Sequence, residues 1–254
     1  MKTKRIVSVA LSAVMALSLA VPAFAAANTN RQTVISGKYQ EAVIDVTVPQ
    51  TANAFIDPYG LGTSATKSDT TTKVQITGQV VTAPLAIRNN TDMDLDIGAT
   101  VTGVVPETST MKLAATTTQG SGTEGSEDYV APATAKSAYV VFQAAAGKTA
   151  VADGTDNDLI NDAIIDDCAA AATWTSAAAK QIVVGTKAAS GEAIATMKAA
   201  TLAADDGSVT AYPAGSMVMF RLTGDCVKAP KAAWEAADTF TVTVAFTFAP
   251  HTAG

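Results

Sequence analysis

The sequence predicts an all-β protein, an antiparallel β-sandwich of about nine or ten strands with one inserted helix. Three observations carry this. The segment "DTFTVTVAFTFAP" places Phe240, Val242, Val244, Phe246 and Phe248 on every second position, with Thr or Ala between. That is the period of a strand with one buried face. Strand-like segments recur along the chain between Pro and Gly turn signals, a pattern of sandwiches rather than helical bundles. Only one stretch shows apolar residues at good helical spacing.

The chain opens with a basic stretch, Met1 to Arg5, then the apolar run "IVSVALSAVMALSLAV" and Ala23-Phe24-Ala25. This is the layout of a secretory signal peptide, too short in its apolar part for a membrane anchor. Residues 1–25 are expected to be removed on export, leaving 26–254 as one β-sandwich domain. No Cys stands at the cut to carry a lipid.

Elements follow in order. Ala42, Ile44, Val46 and Val48 alternate, and Pro49 ends the run. "AFIDPYGLG" sets Pro58 and two glycines in a tight corner, with Phe55, Ile56 and Tyr59 available to plug an end of the core. "KVQITGQVVTAPLAIRNN" reads as two short strands or one bulged strand. "LDIGATVTGVV" puts Leu95, Ile97, Ala99 and Val101 on one face. A solvated loop is expected over about 107–135, rich in Gly, Ser and Thr. "SAYVVFQA", "KQIVVGT", "MKAATLAA" and "GSMVMFRLTG" supply further strands before the closing one. The helical insertion spans about 155–172, where Leu159, Ile160, Ala163, Ile164, Asp167 and Cys168 trace a partly apolar stripe. Asp156 or Asn157 would cap it.

Composition excludes several functions. The mature chain holds 14 basic and 23 acidic residues, a formal charge of −9. Such a surface offers no electrostatic footprint for nucleic acid or anionic lipid. His251, near the end of the chain in a tail expected to be frayed, is the sole histidine. Triads and His-rich metal sites therefore lack their base or ligand. No nucleotide-binding glycine fingerprint follows a predicted strand. A paired-carboxylate hydrolase is the chemistry still open, but no acid pair stands out from an ordinary soluble surface. No enzyme activity and no cofactor are expected.

Two sets of residues invite a closer reading. Cys168 and Cys226, in an exported chain, are expected to form a disulfide closing a loop of about 59 residues, for which the chain-entropy model gives roughly 4 kcal/mol. Asp92, Asp94 and Asp96 project from one side of a strand, where a calcium ion could relieve their repulsion. The plainer reading is a solvent-facing edge whose charges deter aggregation. Asp153, Asp156, Asp158 and Asp162 lack the order of an EF-hand loop, and helix capping explains them more simply.

The succession "VIDVTVPQTANAFIDPYGL", "VTAPLAIRNNTDMDLDIGATVTG", "MVMFRLTGD" and "AWEAADTFTVTVAFTFAP" resembles a group of secreted surface proteins of Gram-positive anaerobes. The likeness covers roughly residues 41–105 and 214–250. It rests on Ile56-Asp57-Pro58-Tyr59 and on Trp234, Asp238, Phe240, Val242, Phe246, Phe248 and Pro250. In outline the group is similar to camelysin-like biofilm-fibre proteins and WxL-type wall-binding proteins, β-sandwiches of the cell exterior. The resemblance implies structural roles for Pro58, Tyr59, Trp234, Phe240, Phe246 and Phe248. Trp174 is followed by Thr175-Ser176 and Trp234 by Glu235-Ala236, so the Trp-x-Leu motif is missing.

The expected function is a secreted structural subunit of an extracellular fibre, matrix or coat, held by self-association or by other surface proteins. Residues 26–40, polar and Thr-rich, are either a strand donated to a neighbour's sheet edge or a disordered terminus. The alternative is an adhesin or glycan-binding module, with Tyr59, Tyr129, Tyr212 and Trp174 as an aromatic platform.

Overall fold

The computed structural model describes residues 44–66, 72–76, 78–120, 126–127, 129, 131–148, 162–186, 191–228 and 233–252. The expected signal peptide, residues 1–25, and the segment 26–43 lie outside the described residues. The chain is all-β. Its strands are β1 (Val46–Thr47), β2 (Ala54–Ile56), β3 (Thr63–Thr66), β4 (Lys73–Ile76), β5 (Val80–Thr82), β6 (Leu85–Asn89), β7 (Leu95–Val104) and β8 (Lys112–Ala114). After β9 (Ser137–Lys148) and the helix α1 (Asp162–Ala169) come β10 (Ala179–Val183), β11 (Glu192–Met197), β12 (Thr201–Leu202) and β13 (Val209–Ala211). The last two are β14 (Met217–Cys226) and β15 (Thr241–Pro250).

Two sheets form the sandwich. One runs β1-β6-β14-β9-β10, with β8 also paired to β9; the other runs β11-β7-β15. Three two-stranded ribbons, β2-β5, β3-β4 and β12-β13, flank them. The nine strands of the two sheets match the expected number, and the ribbons account for the extra ones. Two expectations are corrected. "KVQITGQVVTAPLAIRNN" makes three strands, β4, β5 and β6, because Gly78 takes a φ of 158° and Pro84 breaks the chain a second time. The sheets are not wholly antiparallel, since β8 pairs with β9 in parallel from inside the expected loop.

Burial follows the strand period. In β7, Leu95, Ile97, Ala99 and Val101 are buried and alternate with half-buried residues. These meet Val140 and Phe142 of β9 and Val218 and Phe220 of β14 in the core between the sheets. The larger sheet is covered on its outer face too. There Met217, Met219 and Ala145 pack with Ile164 and Cys168 of α1 and with Trp174. Burial on both faces is why "AYVVF" and "MVMF" read as apolar runs rather than alternations. Within the described residues the helix covers Asp162–Ala169 and ends short of the expected 172, while the expected start and cap fall outside the described residues. Gly224 has φ 137°, and a Cβ there would sit 1.8 Å from the Tyr139 carbonyl oxygen. Only glycine allows β14 and β9 to approach so closely.

Candidate functional site: the open flank of the sandwich

β15 is the edge of its sheet. Its register with β7 runs unbroken from Thr241 opposite Val104 to Pro250 opposite Leu95. Among the described residues its other edge pairs with nothing. Its core-facing residues, Val242, Val244, Phe246 and Phe248, pack on the core yet stay only half-buried. Beside them lies a cleft of about 510 Å³. One wall is β15 and the other is the stretch 49–54 that leads into β2. Phe142, Phe220, Leu222 and Leu85 of the larger sheet also line it. Phe142, Phe220 and Phe246 form a ring cluster with centroids 5.3 to 6.3 Å apart. None of the lining residues carries a charge.

The strand is pinned at both ends. Before it, the Trp234 indole N–H donates to the Val227 carbonyl at 2.7 Å, and Trp234 packs against the core. Asp238 then accepts from Lys136 Nζ at 2.7 Å and from the Glu235 amide at 2.8 Å, with the Asp238 side chain almost wholly covered. Burial pushes the Asp238 carboxyl up, but Lys136 and the Glu235 amide outweigh it and hold it below the usual range. After the strand, the His251 amide donates to the Asp94 carbonyl at 2.8 Å, and its ring Nδ1 meets Asp96 at 2.8 Å. The tail is therefore fixed here, not frayed.

Those contacts also separate the three aspartates. Asp94 takes Lys198 Nζ at 2.6 Å and the Ala199 amide at 2.9 Å, which lower its pKa. Asp96 takes the Thr196 hydroxyl at 2.7 Å and His251, and is lowered likewise. Asp92 is exposed. Lys198 meets the Asp94 charge and hydrogen bonds occupy Asp96, two of the three charges for which calcium was considered, and among the described residues no group of three or more His, Cys, Asp or Glu is placed to hold a metal ion. Asp153, Asp156 and Asp158 lie outside the described residues.

The expected disulfide is not formed. Cys168 and Cys226 are both buried but not joined. The strand period explains it: Val218, Phe220 and Cys226 of β14 face the core between the sheets, while Met217 and Met219 face outward. Cys168 packs with the outward set, so the larger sheet stands between the two sulfurs. Burial, with Asp225 and Asp57 nearby, pushes the Cys226 thiol up to about 12.

The aromatic expectations divide. Trp234, Phe240, Phe246 and Phe248 support the core as expected. Tyr59 does not plug it: the ring is 74% exposed, and Phe55 and Leu61 beside it are 50% and 71% exposed. The Asp57 carboxylate turns inward instead, accepting from the Tyr59 amide at 3.3 Å and from the Gly62 amide. Pro58, half-buried, sits in that turn. Nor do the four rings form a platform. Trp174 is buried, donating to the Cys168 carbonyl at 3.2 Å beneath Arg221, whose Cζ lies 4.2 Å from the ring centroid. Burial pushes Arg221 down to about 10. Tyr212 stacks on Arg88 and donates to Asn90 at 2.9 Å. Only Tyr59 and Tyr129 of the four are exposed.

Lys136 and Asp225 are functional anchors that sequence reasoning missed. Asp225 accepts from Thr117 and from the Thr118 amide at 2.6 Å, which ties the expected solvated loop to β14. No helix among the described residues is long and apolar enough to cross a membrane. Comparisons with protein-family models, with curated proteins and with solved structures find no match.

Proposed function

We propose that this is a secreted, non-enzymatic structural protein of the bacterial cell surface, a subunit of an extracellular fibre, matrix or coat. The single observation that carries the reading is the open flank: a ten-residue edge strand, unpaired on one side among the described residues, beside an uncharged cleft lined by Phe, Leu and Val side chains together with Gln50, Thr51 and Asn53. An unpaired strand edge is a template for another chain. The signal-peptide pattern supports export, and although a mature charge of −9 repels other copies in general, an uncharged flank is where that repulsion is weakest.

The test is direct. Residues 26–254, concentrated and viewed by negative-stain electron microscopy with and without calcium, should give filaments, sheets or regular coats. Monodisperse particles at every concentration would count against the reading. Mass spectrometry of the exported protein should show cleavage after Ala25.

The adhesin reading keeps one supporting observation, the corner that displays Phe55, Tyr59 and Leu61. A glycan array separates the two: a purely structural subunit binds nothing on it, and loss of a specific signal in Tyr59→Ala would favour the adhesin.

A further inference from the structure

We infer that the open flank takes a second copy of this same flank, with β15 pairing antiparallel to the partner's β15 about a two-fold axis normal to the sheet. The inference rests on reading the flank as a self-association surface and not on the fibre itself.

Three features support it. First, apart from Pro250 at its very end, β15 carries none of the devices that keep edge strands apart. Between Thr241 and Ala249 there is no charged residue and no proline, and its register shows no bulge. Natural edges are blunted by these features, and a long flat edge without them pairs with another strand. Second, the two sheets do not match in extent here. The stretch 49–54 and Leu85 of the larger-sheet side face the cleft, and among the described residues no fourth strand beyond β15 covers them. A strand laid beside β15 fills that place. A two-fold axis normal to the sheet keeps Val242, Val244 and Phe246 on the core side in both copies, so each copy's β15 roofs the other's cleft. The two three-stranded sheets become one continuous sheet of six. Third, the flank is uncharged in a chain of strongly negative formal charge. It is a surface that two like-charged copies can bring together without repulsion.

The contact is isologous and closes at two copies. A fibre would then be built from dimers through a second surface.

The experiment uses opposed charges. A register centred on Ala245 sets Thr243 opposite the partner's Thr247. Residues 26–254 should sediment as a dimer in analytical ultracentrifugation. T243K/T247K and T243E/T247E, each placing like charges face to face, should raise the dimer dissociation constant at least about tenfold. Mixing the two variants should restore a heterodimer. Thr243 and Thr247 are exposed, and melting curves check that the variants fold. Ala245→Cys should give an interchain disulfide on a non-reducing gel, read against the wild type with its two buried thiols. A wild type that stays monomeric at about 100 µM, far above ordinary interface affinities, overturns the inference. So does a dimer indifferent to both charge sets, or one abolished by deleting residues 26–40, which would assign the flank to a donated strand. Dimers without filaments would sink the fibre reading and leave this one standing.

Discussion

At one side of the sandwich β11 lies against β9 and the residues after β10 reach β7 of the other sheet, and at the other β15 faces the stretch 49–54 across a cleft. On the first side Val184 is wholly buried, the Gly103 amide donates to the Gly185 carbonyl at 2.8 Å, and Lys180 Nζ reaches Glu192 at 2.9 Å from sheet to sheet. On the second side Val242, Val244 and Phe246, residues of the same kind, stay half-buried with no ion pair across the gap. Alternating apolar residues are necessary for a closed flank but do not close it. Closure needs a strand opposite every strand, and among the described residues the smaller sheet runs out at β15.

The largest expected effect sets the scale for both sides. Phe142 is fully buried beneath the ring cluster, so Phe142→Ala should cost about 3–5 kcal/mol in denaturant unfolding. Phe248→Ala on the open side, where the ring keeps water on one side, should cost roughly half as much. Equal losses would mean that the cleft is filled in solution.

Enlarging a residue should separate the sides next. A Cβ on Gly103 would lie 2.4 Å from Leu113 Cδ1 and 2.8 Å from Val184 Cγ1. Gly103→Ala should therefore cost about 1–3 kcal/mol through overpacking. Val242→Phe, which adds more atoms but adds them to the cleft, should cost less than about 1 kcal/mol or raise the melting temperature. A larger penalty for Val242→Phe would show that the open side is already packed.

The start of β15 should respond to acid. The Asp238 carboxyl is held below its ordinary value of 3.8 in the folded chain. Its stabilising contribution is thus full above that value and disappears as pH falls through the depressed folded value. Asp238→Asn should be less stable than wild type at neutral pH, with the gap narrowing below about pH 3.8. A gap constant across that window would deny the Lys136 pairing any role.

The smallest effect belongs to the ion pair of the closed side. Lys180 and Glu192 are both well exposed, so Lys180→Ala should cost under about 1 kcal/mol, and less in high salt. A loss of several kcal/mol would make that pair, rather than packing, the reason the flank is shut.

Much of this was legible beforehand, for a definite reason. Strands β7, β9, β14 and β15 announce themselves because burial on one or both faces fixes the period or the run of their side chains. The supporting roles of Trp234, Phe240, Phe246 and Phe248 were legible for the same cause. Partner choice was not. Nothing local tells β15 that its second edge meets no strand among the described residues, or Cys168 that a sheet stands between it and Cys226. Phe55 and Tyr59 misled because apolar character was taken as burial, whereas the inward-turned Asp57 carboxylate fixes the corner and leaves the rings outside. Lys136 and Asp238 lie far apart in sequence, and only the fold makes them a pair.

The placement of the two sulfurs has a chemical consequence. A chain whose thiols are buried on opposite sides of one layer asks nothing of an oxidising folding factor and loses nothing to a reductant. Its fold should therefore melt at the same temperature in reducing as in oxidising buffer.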